Sequence, residues 1–183
     1  MRVWIYRVGD DNPKACTAMR LARAGLAVQV PTPRSLPKRS VLLNPFASVF
    51  LSRADREHAS RYGLSLIDVS WEHAGEIFRH VNHGKTRALP LLLAGNPVKQ
   101  GELYWLSTGE AAAAALYILG LKQEAMDVLL QFQWGGAFLD YNVRLLEAYA
   151  ACPDDGCIRR VALEEFERRQ RGARNPPSVL GSI

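Results

Sequence analysis

Along the first hundred residues, short apolar runs of strand length alternate with segments whose apolar residues recur at helical spacing. Residues 2–7, with Val3-Trp-Ile-Tyr6, read as a strand. Asp10-Asp-Asn-Pro13 is a turn with helix-initiating chemistry, and a helix over 14–24 follows, stopped by Gly25. Residues 26–30 form a second strand, and a Pro-rich connection runs from 31 to 37. Residues 41–43 are a third strand, ending at Asn44-Pro45-Phe46. Ser52-Arg-Ala-Asp55 opens a charged helix that stops at Gly63. Residues 64–67 are a buried strand with Asp68 at its carboxyl end, and a short helix over 72–80 follows. The apolar run 89–94 is expected to be a further buried strand, closed by the turn Gly95-Asn96-Pro97.

Beyond residue 106 the strand period disappears. Ser107 and Glu110 have capping-box spacing ahead of an apolar run, and helices are expected over 108–119, 122–132, 137–151 and 157–171. The pattern predicts an α/β protein: a parallel-sheet lobe over 1–95, a mainly helical lobe over 96–171, and a tail over 172–183. In such folds ligands sit outside the carboxyl ends of the strands, and helix N-termini offer N–H groups to anionic atoms. The two Asn-Pro turns and the capped helix start at 107–111 therefore mark the expected pocket.

Composition adds little until it is divided along the chain. The 183 residues carry a net charge of +5 and are 48% hydrophobic, and no apolar run is long enough to span a membrane. With no signal-peptide pattern at the start, a cytoplasmic protein is expected. Residues 1–97 carry 14 Lys and Arg against 7 Asp and Glu, whereas 98–183 carry 9 against 11. Eighteen of the basic residues are Arg, which binds phosphate bidentately and stacks on bases, so the front half suits an anionic polymer. Cys152 and Cys157 lie close enough for a disulfide, but free thiols are the expected state in a cytoplasmic chain. No spacing of Cys or of His58, His73, His80 and His83 suggests a metal site, and no nucleotide-binding loop or nucleophile elbow is present.

Residue types narrow the chemistry. Asp68, ending a buried strand, is placed to pair with a cation, accept hydroxyls or take a proton. Trp71 offers a π-face suited to a cation such as a sulfonium. Thr17 can hold a carboxylate near a helix start.

Eight segments fall in the order of one known family. They are Asp11-Asn-Pro-Lys-Ala-Cys-Thr17 with Leu21, Leu43-Asn-Pro-Phe46, Leu51-Ser-Arg-Ala-Asp55, Asp68-Val-Ser-Trp71, Arg87-Ala-Leu-Pro90, Asn96-Pro-Val98, Leu106-Ser-Thr-Gly-Glu-Ala111, and Trp134-Gly135 with Phe138-Leu139 and Asn142. Over roughly residues 2–150 the chain resembles the aminocarboxypropyltransferases that modify small-subunit ribosomal RNA, and its length resembles that of archaeal members. The resemblance implies a SPOUT-like fold with a knot at the cofactor site. It implies transfer of the 3-amino-3-carboxypropyl group of S-adenosylmethionine to N3 of a modified uridine or pseudouridine, with 5′-methylthioadenosine released and no metal. The enzyme would be a monomer acting on ribosomal RNA or a pre-ribosomal particle.

Carried over by position, Thr17 and the Thr108 amide would hold the methionine carboxylate, and the Ile67 carbonyl the ribose. Backbone groups of Leu89 and Tyr104 would meet the adenine, and Trp71 would pack near the sulfonium methyl. Asp68 would assist deprotonation or orient the acceptor, and Arg20, Arg23, Arg53, Arg56 and Arg61 would hold RNA phosphates. Asn12, Ala18 and Gly109 depart from the family's usual Asp, Gly and Ala, which bears on the geometry around the carboxylate. Two other readings share the same features: an RNA methyltransferase of the same fold class, and a non-catalytic RNA-binding assembly factor.

Overall fold

In the computed structural model the described residues are 1–9, 16–81 and 84–174, with side chains through 171. Five strands form one parallel sheet: β1 (Val3–Arg7), β2 (Val28–Val30), β3 (Val41–Leu43), β4 (Leu64–Asp68) and β5 (Lys85–Arg87), in the order β2-β1-β4-β3-β5. A parallel sheet needs cover on both faces, and the central strands accordingly carry unbroken apolar runs such as Val41-Leu-Leu43. One face packs Val30, Leu36, Leu42, Ile67, Ala74 and Phe78 under α3 (Trp71–His80). On the other lies the main core, which joins β1, β3 and β4 to helices from the whole length of the chain.

That core is built around α4 (Thr108–Ile118), which packs against α1 (Thr17–Arg23), β4, α5 (Lys122–Leu129) and α6 (Gly135–Ala151). A helix buried all round cannot be amphipathic, and the alanine run Ala111–Ala115 lets its neighbours approach its backbone closely. Before it, Arg53–Asp55 form a 3-10 turn leading into α2 (Arg56–Tyr62), and α7 (Asp155–Arg174) completes the fold. The turn at 10–13 and the tail beyond 174 lie outside the described residues, as does the start of the helix expected from residue 14.

The expected strand over 89–94 is not formed; the last strand is the shorter, polar Lys85–Arg87 at the sheet edge. Pro90 cannot donate to a ladder, and the backbone after it is satisfied otherwise. Tyr149 Oη donates to Leu91 O at 3.1 Å, and Tyr104 N to Leu92 O at 3.0 Å. Asn142 clamps Leu93 from both sides, accepting its N–H and donating to its carbonyl, each at 2.8 Å. Glu110 accepts from the N–H groups of Gly95 (2.6 Å) and Asn96 (2.9 Å). The apolar side chains are buried as expected, with Leu91, Leu92 and Ala94 at 1% exposure or less. The misjudged link is between apolarity and strand: a short apolar run records burial, and among the described residues the backbone here pairs only through an isolated bridge of Leu93 with Leu103.

Two polar clasps hold the periphery. Asp55 is buried between Lys85 Nζ (3.0 Å) and Arg87 Nε (2.9 Å), which fixes the 52–55 turn to β5. Cys152 and Cys157 form a disulfide between the end of α6 and the start of α7, a correction to the expected free thiols. Their Cα atoms are 5.4 Å apart, within the ordinary range for a bridge. Further along α7, buried Glu165 accepts from Arg144, Arg168 and Arg169.

These clasps have measurable consequences. Asp55→Ala leaves two cations facing a buried void, and chemical denaturation should show a loss of about 3 kcal/mol, whereas Lys85→Ala, which leaves the Arg87 pair intact, should lose well under half of that. The Arg168 hydrogen bond, with Arg144 and Arg169 beside it, holds the Glu165 carboxyl down at about 2, below its ordinary 4.5. A depressed carboxyl stabilises the fold fully above its unfolded value and loses that contribution as pH falls from about 4.5 towards 2. Glu165→Gln should therefore lower stability at neutral pH and flatten the acid limb of a stability–pH profile; an unchanged limb would remove the clasp from the account.

Candidate active site

The carboxyl ends of β3 and β4 open into a cavity of about 450 Å³, a size suited to a small molecule. The loop after β3, the segment after β5, α3 and the start of α4 form its walls. Most of the lining is apolar, so the few polar groups that face it define what it can recognise.

The first is the Ile67 carbonyl, and its availability follows from the ladder. Leu64 N donates to Arg2 O and Asp68 O accepts from Val8 N, so even-numbered residues of β4 bond towards β1. Odd-numbered ones face β3, where Gly63 O accepts from Val41 N at 3.0 Å. Continuing by twos, the residue in step with Ile67 is Pro45, which has no N–H. The Asn-Pro turn thus frees an acceptor beside the cavity.

The second is the start of α4. Ser107 N donates to Glu110 Oε2 at 2.6 Å, and Glu110 N to Ser107 Oγ at 3.3 Å, the capping box expected from the sequence. Gly109 N donates to Thr17 Oγ1 at 3.1 Å. Among the described residues the Thr108 N–H is the first-turn donor left without an acceptor. The Thr108 hydroxyl donates to Asp68 Oδ1 and Cys16 Sγ donates to Asp68 Oδ2 at 3.0 Å. Arg7 Nε lies 3.8 Å from the same carboxylate. Asp68 therefore ties the start of α1, the end of β1 and the start of α4 to the end of β4.

The third pair comes from the irregular segment. Tyr104 sits at φ +68°, a left-handed conformation that costs a non-glycine residue about 1 kcal/mol. Its N–H is spent on Leu92, while its carbonyl and the Leu89 N–H have no partner among the described residues. Burial pushes the Tyr104 phenol above its ordinary value. At the mouth Trp71 and Trp105 meet with ring centroids 5.3 Å apart, and Lys99 Nζ lies 4.2 Å from the centre of the Trp105 ring.

Of the residues expected from the sequence, Ile67, Trp71, Leu89, Tyr104 and Thr108 line one cavity. Thr17 joins them through Gly109, and Asp68 through Thr108. The arginines scatter. Arg53 donates to Ala150 O (3.3 Å) and Arg56 to Gly120 O (3.4 Å), so both brace helix ends as well as facing solvent. Arg20 donates to Gln131 O at 3.0 Å and lies over Phe132. Arg23 is exposed, and Arg61 lies over Tyr62. Gly109, a departure noted above, is explained by packing: a Cβ there would lie 2.7 Å from the Phe132 ring. Sequence reasoning named Asn142 within a family segment but gave it no role, and it missed Tyr149 and the second role of Glu110; the spacing Ser107-x-x-Glu110 announces the cap, and nothing announces the bonds to Gly95 and Asn96.

Glu110 is fully buried, and its two oxygens accept from four N–H groups: those of Gly95, Asn96 and Ser107, and the Asn96 Nδ2 at 2.7 Å. Glu110→Gln turns an amide NH₂ towards these donors and should cost about 3 kcal/mol in denaturation. Because the same bonds shape the cavity wall, the small-molecule affinity of the folded variant should fall with it.

The family described as ribosome biogenesis protein, C-terminal, matches residues 41–165. A 16S rRNA aminocarboxypropyltransferase from Vulcanisaeta distributa is 47% identical over 152 residues, 82% of each chain. One from Methanopyrus kandleri is 45% identical over 166 residues, 88% of this chain and 96% of its own. The solved structure of the SAM-dependent rRNA:acp-transferase Tsr3 from Vulcanisaeta distributa superposes with a TM-score of 0.81 at 43% identity, covering 92% of this chain and 96% of the other. With these matches spanning most of the chain, the protein belongs to the 16S rRNA aminocarboxypropyltransferase family.

Proposed function

We propose that the chain transfers the 3-amino-3-carboxypropyl group of S-adenosylmethionine to N3 of a uridine or pseudouridine in small-subunit ribosomal RNA, releasing 5′-methylthioadenosine. The observation that carries this reading is the set of four unpartnered backbone groups around one apolar cavity: two donors, Thr108 N–H and Leu89 N–H, and two acceptors, Ile67 C=O and Tyr104 C=O. That set matches the needs of an adenosyl amino acid. The Thr108 N–H, at the positive end of α4, and the Thr17 hydroxyl hold the carboxylate. Ile67 takes the ribose hydroxyls, and Leu89 and Tyr104 take opposite polarities on the adenine edge. Trp71 faces the cationic sulfur.

When bound, the sulfonium supplies a carbon electrophile and a neutral thioether leaving group. The protein's task is alignment and exclusion of water. N3 loses its proton and its lone pair forms the N–C bond to the propyl carbon; the C–S bond breaks and its electrons leave on sulfur. Asp68, fixed by Thr108 and Cys16, orients the start of α4 and stands nearest the carboxylate end as the group to receive that proton. Choice of propyl over methyl requires the methyl to be turned against apolar wall, and Trp71 and Ala74 supply such a wall.

In the same reading the chain is a cytoplasmic monomer, with residues 1–95 as the α/β lobe, 96–171 completing the cofactor site and a SPOUT-like knot formed there. Among the described residues no helix is long and apolar enough to cross a membrane.

The test uses two forms of S-adenosylmethionine, labelled in the carboxyl carbon or the methyl, with small-subunit RNA or pre-ribosomal particles. Carboxyl label in RNA and methyl label in methylthioadenosine is the expected result; methyl label in RNA makes the protein a methyltransferase. Thr17→Ala should weaken S-adenosylmethionine binding by tenfold or more, the worth of about 1.5–3 kcal/mol for a hydrogen bond to a charged group. Unaltered affinity would move the carboxylate elsewhere.

A further inference from the structure

The positive charge of the chain is concentrated between residues 34 and 61, which hold Arg34, Lys38, Arg39, Arg53, Arg56 and Arg61 against Asp55 and Glu57. Asp55 is already shared by Lys85 and Arg87, and Arg53 and Arg56 brace helix ends. Two of the remaining arginines, Arg39 and Arg61, meet on one tyrosine. The Arg39 guanidinium lies 4.0 Å from the centre of the Tyr62 ring and donates to the Tyr62 hydroxyl. The Arg61 guanidinium lies 5.3 Å from the same ring centre. His58 packs on Tyr62 with ring centroids 4.8 Å apart and contacts Arg39 O at 2.7 Å, which fixes the backbone that carries Arg39.

Neither guanidinium meets a carboxylate within 4.0 Å among the described residues. Both are exposed. Like charges repel, and stacking on an aromatic ring fixes their planes without neutralising them. Two unneutralised guanidinium forks held on the same ring are complementary to an anion with several oxygens, and phosphate is the anion that Arg forks match.

We propose that Arg39 and Arg61, held on Tyr62, clamp a phosphodiester of the RNA substrate at the end of the sheet opposite the cavity. The inference rests on the RNA-modifying function proposed above and adds a second point of attachment to it. Arg39 precedes β3 and Tyr62 precedes β4, so the pair lies at the amino ends of the strands whose carboxyl ends open into the cavity. The five residues of β4 separate the two by about 16 Å. A nucleotide in the cavity and a phosphate on Arg39 therefore belong to different parts of the RNA. The clamp reads no base; it sets the orientation in which RNA reaches the site.

The test compares the wild-type chain with Arg39→Ala/Arg61→Ala in binding a small-subunit RNA transcript across a series of salt concentrations, with S-adenosylmethionine affinity measured on the same samples. The double variant should bind the RNA about tenfold more weakly at low salt, with a log–log salt slope shallower by about one. Its S-adenosylmethionine affinity should be unchanged, which certifies the fold. Arg39→Lys/Arg61→Lys, which keeps the charge and loses the fork, should keep the wild-type slope with an intermediate affinity. RNA affinity and slope equal to wild type in the alanine variant would overturn the clamp while leaving the proposed function standing. Failure of the wild-type chain itself to bind the transcript or particles would overturn both.

Discussion

The cavity wall between residues 88 and 106 has no regular secondary structure, yet much of it is buried, and backbone groups out of water must find partners. Side chains of α4 and α6 supply them. Glu110 gathers the turn at 95–96 and the start of its own helix onto one carboxylate, Asn142 takes both backbone groups of Leu93, and Tyr149 takes the carbonyl of Leu91. Each partner projects from a helix whose own packing is rigid, so the wall inherits rigidity it could not generate itself. Gly95 belongs to the same constraint: a Cβ there would fall 2.5 Å from the backbone of Phe138, so the turn can lie directly on α6 only without a side chain. The irregular wall, the N-terminus of α4 and the first turns of α6 stand or fall together.

Much of this was legible in the sequence, and the reasons differ by element. The order of strands and helices follows from switches between the strand period and the helix period, and the helix starts from cap chemistry at Ser107 and Glu110. Asp68 and Trp71 stand out because the end of a buried strand in an open sheet is where ligands sit, whereas Ile67 enters only through the family resemblance. The segment 89–94 was misread because burial and strand pairing leave the same apolar signature when the run is short. The Asp55 clasp with Lys85 and Arg87 was not legible because its partners lie some thirty residues apart and each reads singly as a solvated charge. The disulfide went the other way: its spacing was visible, but compartment argued against it.

Arginine has several distinct duties here. Arg53 and Arg56 sit near helix carboxyl ends, where a cation meets both the last carbonyls and the negative pole of the helix. Arg144, Arg168 and Arg169 converge on Glu165; the first fastens α7 to α6, and the other two pair with it along α7. A count of basic residues along the chain cannot separate such braces from the arginines left to meet a ligand. The separation comes only from knowing which guanidinium already has an acceptor.

Recognition by backbone atoms has a consequence for how this site tolerates change. The unpartnered groups that face the cavity at Ile67, Leu89 and Tyr104 are a carbonyl, an N–H and a carbonyl; any residue supplies the carbonyls, and any but proline the N–H. Their side chains answer to other demands: Ile67 to the core under α3, and Tyr104 to a left-handed backbone. The burden of keeping the peptide planes in place falls on Pro45, which withholds a donor at the cavity's edge, and on Glu110 and Asn142, which hold the wall from behind. The polar character of this cavity is thus set by the course of the backbone, and it outlasts any side-chain change that leaves that course intact.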